Sequence, residues 1–166
     1  MAPDPTFARK IHDPAQLQRW LAGLARPLVF TNGVFDLLHR GHVTYLARAR
    51  ALGASLLLAL NDDASARRLA KGPERPLNPL EDRLAVAAAL ESVSAVTWFS
   101  EDTPLRLIEA CRPEVVAKGG DWPVERIVGA AEARSWGGRG VSIAFEHGRS
   151  TTELVERIRR SGASTG

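Results

Sequence analysis

A doubly wound, Rossmann-like α/β domain with a five-stranded parallel sheet is the fold class this sequence predicts, on three observations. Short apolar runs alternate with stretches of helical period along the chain, and the alternation continues to the C-terminal end. Those runs are apolar on successive residues rather than on every second one, as expected of strands covered on both faces. The 166 residues, 45% hydrophobic and 25% charged, suffice for one core and one domain.

In order, Asp13-Pro14 places a capping residue before a proline at the first helical position and predicts a helix to about Ala25. Residues 1–26 thus form an N-terminal helical segment ahead of the sheet domain at 27–166. Pro27 to Thr31 reads as a buried strand. Gly41 to Leu52 spaces Val43, Leu46, Ala47 and Leu52 at helical period, with Gly53 to close the helix. Ser55 to Leu60 is a second strand, and Asn61-Asp62 caps a short helix behind it. Lys71 to Asn78, with two prolines, is a loop. Pro79 to Glu91 is a helix with Leu80, Leu84, Ala87 and Ala88 on one face. Ala95 to Phe99 is a strand, Thr103 to Cys111 a helix, and Glu114 to Ala117 a strand. A weaker helix spans Pro123 to Trp136, Gly140 to Phe145 is the fifth strand, and Ser150 to Arg160 the closing helix.

Composition narrows the function. The formal charge is +3 and the isoelectric point about 9.6, but the 22 Lys and Arg residues are scattered. No basic stripe with interleaved aromatics marks a nucleic-acid partner, whereas a mild cationic excess suits phosphorylated metabolites. No apolar run approaches the roughly 20 residues that span a bilayer, and Met1 to Lys10 lacks a signal-peptide core, so no membrane partner is expected. A lone cysteine, Cys111, fits a buried structural thiol in a reducing cytoplasm.

In doubly wound sheets ligands bind beyond the carboxyl ends of the strands. Three loops there hold candidate chemistry. Thr31-Asn32-Gly33-Val34-Phe35-Asp36 leaves a strand and reaches His39-Arg40-Gly41-His42 at a helix start. A helix N-terminus offers free N–H groups to a phosphate, and Gly41 allows close approach. His39 and His42, three residues apart, are placed to donate to a phosphoryl oxygen that gains charge in a transition state. The alternative is that His39 is a helix cap and His42 a packing residue. Lys118-Gly119-Gly120-Asp121 supplies a cation, a free backbone and a carboxylate at a strand end, or else a plain turn. Gly148-Arg149-Ser150-Thr151-Thr152 precedes the last helix; Ser150 and Glu153 have capping-box spacing, which is compatible with phosphate binding at the same terminus.

The HxGH segment resembles the signature of the cytidylyltransferase-like nucleotidyltransferases, which are related to class I aminoacyl-tRNA synthetases through their HIGH motif. The longer string TNGVFDLLHRGHVTYLARARALG, followed by KGPERPLNPLEDR, EDTPLRLI, VVAKGGDW and GRSTTELVERI, is similar to the heptose-phosphate adenylyltransferase branch of that family. The match extends from about Ala25 to Arg160. It implies transfer of AMP from ATP to heptose 1-phosphate, giving ADP-heptose and pyrophosphate for lipopolysaccharide core synthesis. It further implies His39, His42 and Lys71 as catalytic, with Lys71 folding over the triphosphate. Nucleotide contacts would come from Thr31, Asn32, Gly33, Val34, Phe35, Gly41, His42, Lys118, Gly119, Asp121, Ser150, Thr151 and Thr152. Asp36, Asn61, Arg83 and Arg149 would face the acceptor, with Arg83 on the helix face opposite the apolar stripe. Mg²⁺ would be held mainly by phosphates and water, and a homo-oligomer is expected by analogy. Rival readings are a CTP-dependent enzyme acting on glycerol 3-phosphate or another alcohol phosphate, and a nucleotide-binding module without catalysis.

Overall fold

The computed structural model describes residues 4–69, 74–146 and 151–162. Five strands, β1 (Leu28–Gly33), β2 (Ser55–Asn61), β3 (Ala95–Phe99), β4 (Val115–Gly119) and β5 (Arg139–Ile143), form one parallel sheet in the order β3-β2-β1-β4-β5. Their successive apolar residues feed two cores because side chains along a strand alternate between faces. Val29, Leu56, Leu58, Leu60 and Val96 join one core; Leu28, Phe30, Leu57, Ala59 and Ala95 join the other. All seven residues of β2 are buried, as a strand covered on both sides requires.

Helices α2 (Arg40–Arg50) and α4 (Leu80–Ala88) cover the first face, through Tyr45, Leu46 and Ala49 and through Leu84, Ala87 and Ala88. The inward stripe of α2 differs from the predicted one: Val43 is 45% exposed and Ala47 is exposed, while Tyr45 and Ala49 point inward. Helices α1 (Leu17–Leu21), α5 (Leu105–Cys111) and α6 (Ala130–Ser135) cover the second face. A short α3 (Asp63–Arg68) follows β2, capped by the Asp62 carboxylate on the Ser65 amide at 2.7 Å. Helix α7 (Thr151–Gly162) closes the fold. Among the described residues no helix is long and apolar enough to cross a membrane.

Two predicted helices are shorter than expected. The N-terminal one begins as a 3-10 turn, Pro14–Gln16, in which the Asp13 carboxylate accepts from the Ala15 amide, and only Leu17–Leu21 is α-helical. The segment is part of the domain, since Ile11 bridges to Val96 beyond the β3 edge and Leu17 is buried in the second core. The stretch from Pro123 to Trp136 divides into a 3-10 turn, Val124–Arg126, and α6. Gly129 separates them at φ +86°, where a Cβ would lie 2.6 Å from the Ile108 side chain. The left-handed backbone and the tight contact both demand glycine, so a continuous helix is excluded there. Cys111 is buried in the second core, and burial pushes its thiol up to about 12, so it packs as a structural thiol.

The order of strands reverses between β1 and β4, and the two strands separate there. β1 pairs with β2 over six residues but with β4 only at Val29↔Val115 and Phe30↔Val116. Beyond those pairs the carboxyl ends of β1 and β4 diverge and leave a crevice at the switch point. Leu58, fully buried in the middle of β2, tests the sheet core. Leu58→Ala is expected to lower unfolding free energy by about 2–5 kcal/mol, read as a lower urea midpoint with an unchanged slope.

Candidate active site

The chain leaves β1 at Gly33 and turns sharply through Phe35, whose φ of 48° lies in the left-handed region. Such a conformation costs a non-glycine residue roughly 1–3 kcal/mol and persists only where its surroundings enforce it. The Phe35 ring lies against Gly33, where any Cβ would come within 2.8 Å of it. The same ring contacts His42 at 5.1 Å between centroids, so the turn sets the position of the histidine. His39 occupies the N-cap position of α2, as the alternative reading had it, but its side chain makes no capping bond to the helix. Its ring instead stacks on His42 at 3.9 Å and 25°. The Nδ1 atoms of both rings are shielded from solvent, and both residues line a cavity.

That cavity, of about 370 Å³, lies at the switch-point crevice and falls within the range of small-molecule sites. It brings together Asn32, Gly33, Val34, Phe35 and Asp36 from the β1 loop with His39 and His42. Lys118 and Gly119 come from the end of β4, and Thr151 and Thr152 from the start of α7. Lys118 Nζ donates to the Asn32 carbonyl at 3.4 Å, across the gap between the diverging strands. Thr151 Oγ1 donates to the Leu37 carbonyl at 3.2 Å and docks the α7 terminus on the β1–α2 loop. Cations and two helix N-termini therefore converge on one space, an arrangement that suits a polyphosphate.

Four residues line this cavity that sequence reasoning did not single out: Tyr45, Ala66, Arg75 and Phe145. Tyr45 bonds the Thr31 hydroxyl, and burial pushes its phenol up to about 12, so it acts as a neutral packing group. Phe145 packs over Gly119 and beside Tyr45. The signal for Arg75 was available in the quoted loop string, but nothing local distinguishes it from a solvated arginine.

Several predicted contacts are corrected. Thr31 is fully buried beneath the cavity and reaches only Tyr45. Gly41 is buried in the first turn of α2 and lies outside the cavity lining, and Asp121 is exposed and lines neither this cavity nor its neighbour. Asn61 is buried, with its amide bonded to Ser65 Oγ at 2.9 Å, and lines a neighbouring cavity of about 280 Å³ that shares Asn32, Gly33, Val34 and Lys118 with this one. Arg83 is not on the outer face of its helix. Its side chain is 0% exposed, and the guanidinium donates to the carbonyls of Asn78, Val34 and Asn61 and to the Asp63 carboxylate. A buried guanidinium must be paired in this way, and so it positions loops instead of touching an acceptor phosphate. Lys71, Arg149 and Ser150 lie outside the described residues.

Asp36 is likewise committed within the protein. Its carboxylate accepts from Arg75 Nη1 and the Leu77 and Asn78 amides, each at 2.9 Å, so it holds the turn on which Phe35 and His42 rest. Asn78 Nδ2 returns a bond to the Asp36 carbonyl at 2.7 Å. Asp36 and Arg75 form a nearly buried ion pair, with side chains 5% and 9% exposed. Among the described residues no cluster of three or more His, Cys, Asp or Glu stands ready to hold a metal ion.

A family model described as cytidylyltransferase-like matches residues 30–157. A D-beta-D-heptose 1-phosphate adenylyltransferase from Bordetella bronchiseptica is 54% identical over 156 residues, covering 93% of this chain and 96% of that protein. The bifunctional protein HldE of Magnetococcus marinus is 53% identical over 152 residues, covering 92% of this chain; the chain spans 31% of that longer protein. Among solved structures, a lipopolysaccharide core biosynthesis protein from Thermoplasma volcanium matches with a TM-score of 0.60 at 24% identity. The match covers 74% of this chain and 98% of that one, and supports the fold.

The Asp36 clamp makes stability depend on pH. Burial pushes its carboxyl up, but the Asn78 and Leu77 amides and Arg75 outweigh that and hold it below its ordinary value. A depressed folded-state value contributes stability above the ordinary carboxylate range and loses it as pH falls through the folded value. Asp36→Asn is therefore expected to be less stable than wild type near neutral pH, with the gap closing below about pH 4. Urea midpoints measured across that range check it, and a gap independent of pH would mean that the charge contributes nothing.

Proposed function

The chain belongs to the cytidylyltransferase-like family of nucleotidyltransferases, and on that premise we propose that it transfers AMP from ATP to heptose 1-phosphate. The products are ADP-heptose, a precursor for lipopolysaccharide core, and pyrophosphate. The observation that carries the reading is the stacked His39–His42 pair, which lines one cavity together with Lys118 and the first residues of α7. Identity of 54% over nearly all of both chains to a heptose 1-phosphate adenylyltransferase supports the choice of donor and acceptor.

In this reading an acceptor phosphate oxygen attacks the α-phosphorus of ATP, a P–O bond to it forms, and the bond to the pyrophosphate oxygen breaks. The electron pair leaves with pyrophosphate, so no protein nucleophile is consumed. Catalysis then consists of positioning and charge stabilisation. His39 and His42 donate to the α-phosphate oxygens as the charge redistributes, an effect that pre-set donors provide at no cost in reorganisation. Lys118 neutralises phosphate charge at the β1–β4 gap, while Thr151 and Thr152 at the α7 terminus hold the outer phosphates. Arg75, fixed by Asp36, also lines the cavity. A divalent cation such as Mg²⁺, held mainly by phosphate and water oxygens, would supply further neutralisation of the leaving group's charge.

Pyrophosphate release from ATP and heptose 1-phosphate, compared with CTP and with glycerol 3-phosphate, tests the reaction. Turnover confined to CTP, or none with either nucleotide, would overturn it. His42→Ala is expected to lower kcat on the order of 10²–10³-fold, the usual cost of removing one transition-state donor. Its melting temperature should stay close to that of wild type, and near-normal kcat in this variant would remove His42 from the chemistry.

A further inference from the structure

Helix α7 carries Thr151 and Thr152 to the cavity, yet little packing holds it in place. Among its described residues only Val155 is buried, while Leu154 and Ile158 are 37% and 59% exposed. A helix owes its position mainly to the apolar face it buries. One buried valine therefore leaves the direction of the α7 axis weakly determined.

Polar ties supply what packing does not. Thr151, Val155 and Arg159 are spaced at i, i+4 and i+8 and share one side of the helix. Thr151 and Arg159 each lie within about 40° of Val155 around the axis. At the near end Thr151 Oγ1 donates to the Leu37 carbonyl at 3.2 Å. About 12 Å further along the axis, Arg159 Nη2 donates to Glu74 Oε1 at 2.6 Å. Both anchors belong to one rigid unit. Leu37 follows Asp36, and Glu74 precedes Arg75, whose guanidinium is nearly buried against the Asp36 carboxylate.

A rod that pivots on one buried side chain has its direction set once both halves are tied to the same support. Resting on the adenylyl-transfer reading above, we propose that Glu74 and Arg159 are positioning residues for the nucleotide. Their ion pair sets the direction of α7, so that Thr151 and Thr152 meet the outer phosphates of a triphosphate whose α-phosphate lies at the His39–His42 pair. Neither Glu74 nor Arg159 lines the cavity, so they act through the helix. The side chains are 34% and 63% exposed, which limits the effect to a few-fold and leaves it open to screening by salt.

Steady-state kinetics of Glu74→Gln and Arg159→Gln at low ionic strength, with ATP and heptose 1-phosphate, separate this role from a direct effect of charge. Through the field alone, loss of an acidic group tightens ATP and loss of a basic group weakens it, so the two KM values move in opposite directions. A shared tie is lost equally in both. The KM for ATP is expected to rise about three- to fivefold in each variant. Both kcat and the KM for heptose 1-phosphate should stay within about twofold of wild type, the pattern of lost binding without lost chemistry. The double variant Glu74→Gln/Arg159→Gln should be no worse than either single one, because one tie can be broken only once. Opposite shifts, additive shifts or an unchanged KM for ATP would overturn the proposal. If wild type releases no pyrophosphate, the adenylyl-transfer reading itself fails, and the tie is judged by calorimetric titration of ATP with Mg²⁺. Binding weakened by a similar factor in both variants still supports it; binding weakened in one or neither, or absent from wild type, rejects it.

Discussion

The buried guanidinium of Arg83 is the constraint on which the rest of the site depends. A charge removed from water is tolerable only if its donors are met by fixed acceptors. Here the acceptors are the carbonyls of Val34, Asn61 and Asn78 and the carboxylate of Asp63. Those four belong to the loop after β1, the end of β2, the approach to α4 and the start of α3. Val34 and Asn78 lie in loops and Asn61 is the last paired residue of β2, so these carbonyls stand where ladder partners run out. One side chain therefore joins the loops that the parallel sheet would otherwise leave independent of one another.

The Asp36–Arg75 pair adds a second tie to the same loops. Asp36 closes the turn that begins at Gly33, and its three acceptor bonds hold residues 75–78 against it. Between these ties Phe35 is kept at positive φ, with its ring between Gly33 and His42. The strain at Phe35 and the stack of two imidazoles are thus consequences of the same over-determined turn. Its rigidity matters because preorganised donors stabilise a developing charge only if they need not move to meet it.

Much of the fold was legible in the residues, and the reason is physical. Continuous apolar runs such as SLLLAL can be buried only between two layers, so their number and order imply the sheet. Loops at the strand ends, the HxGH pair, Lys118 and the α7 terminus were readable because helix starts and glycine turns have local signatures. Arg83 was misplaced because helical periodicity assigns a charged residue to the outer face, whereas its partners come from loops distant in sequence. The partners of Asp36 were hidden for the same reason: Arg75, Leu77 and Asn78, which occupy its carboxylate, lie some forty residues further along the chain. Helix lengths at the N-terminus and around Gly129 depended on a 3-10 turn and a tertiary contact with Ile108, which no local pattern contains.

The separation of β1 from β4 connects this scaffold to reactivity. A parallel pair that stayed in register to its ends would set Asn32 directly opposite Lys118 and close the crevice. Because pairing stops at Phe30↔Val116, Lys118 instead spans the gap to the Asn32 carbonyl. The strand ends then become a thin partition with a cavity on either side, one lined by the histidines and the other by Trp122. Among the described residues Lys118 is the cation that lines both spaces, and its bond to the Asn32 carbonyl holds it at the partition, so the divergence of the two strands is what places a positive charge at the switch point.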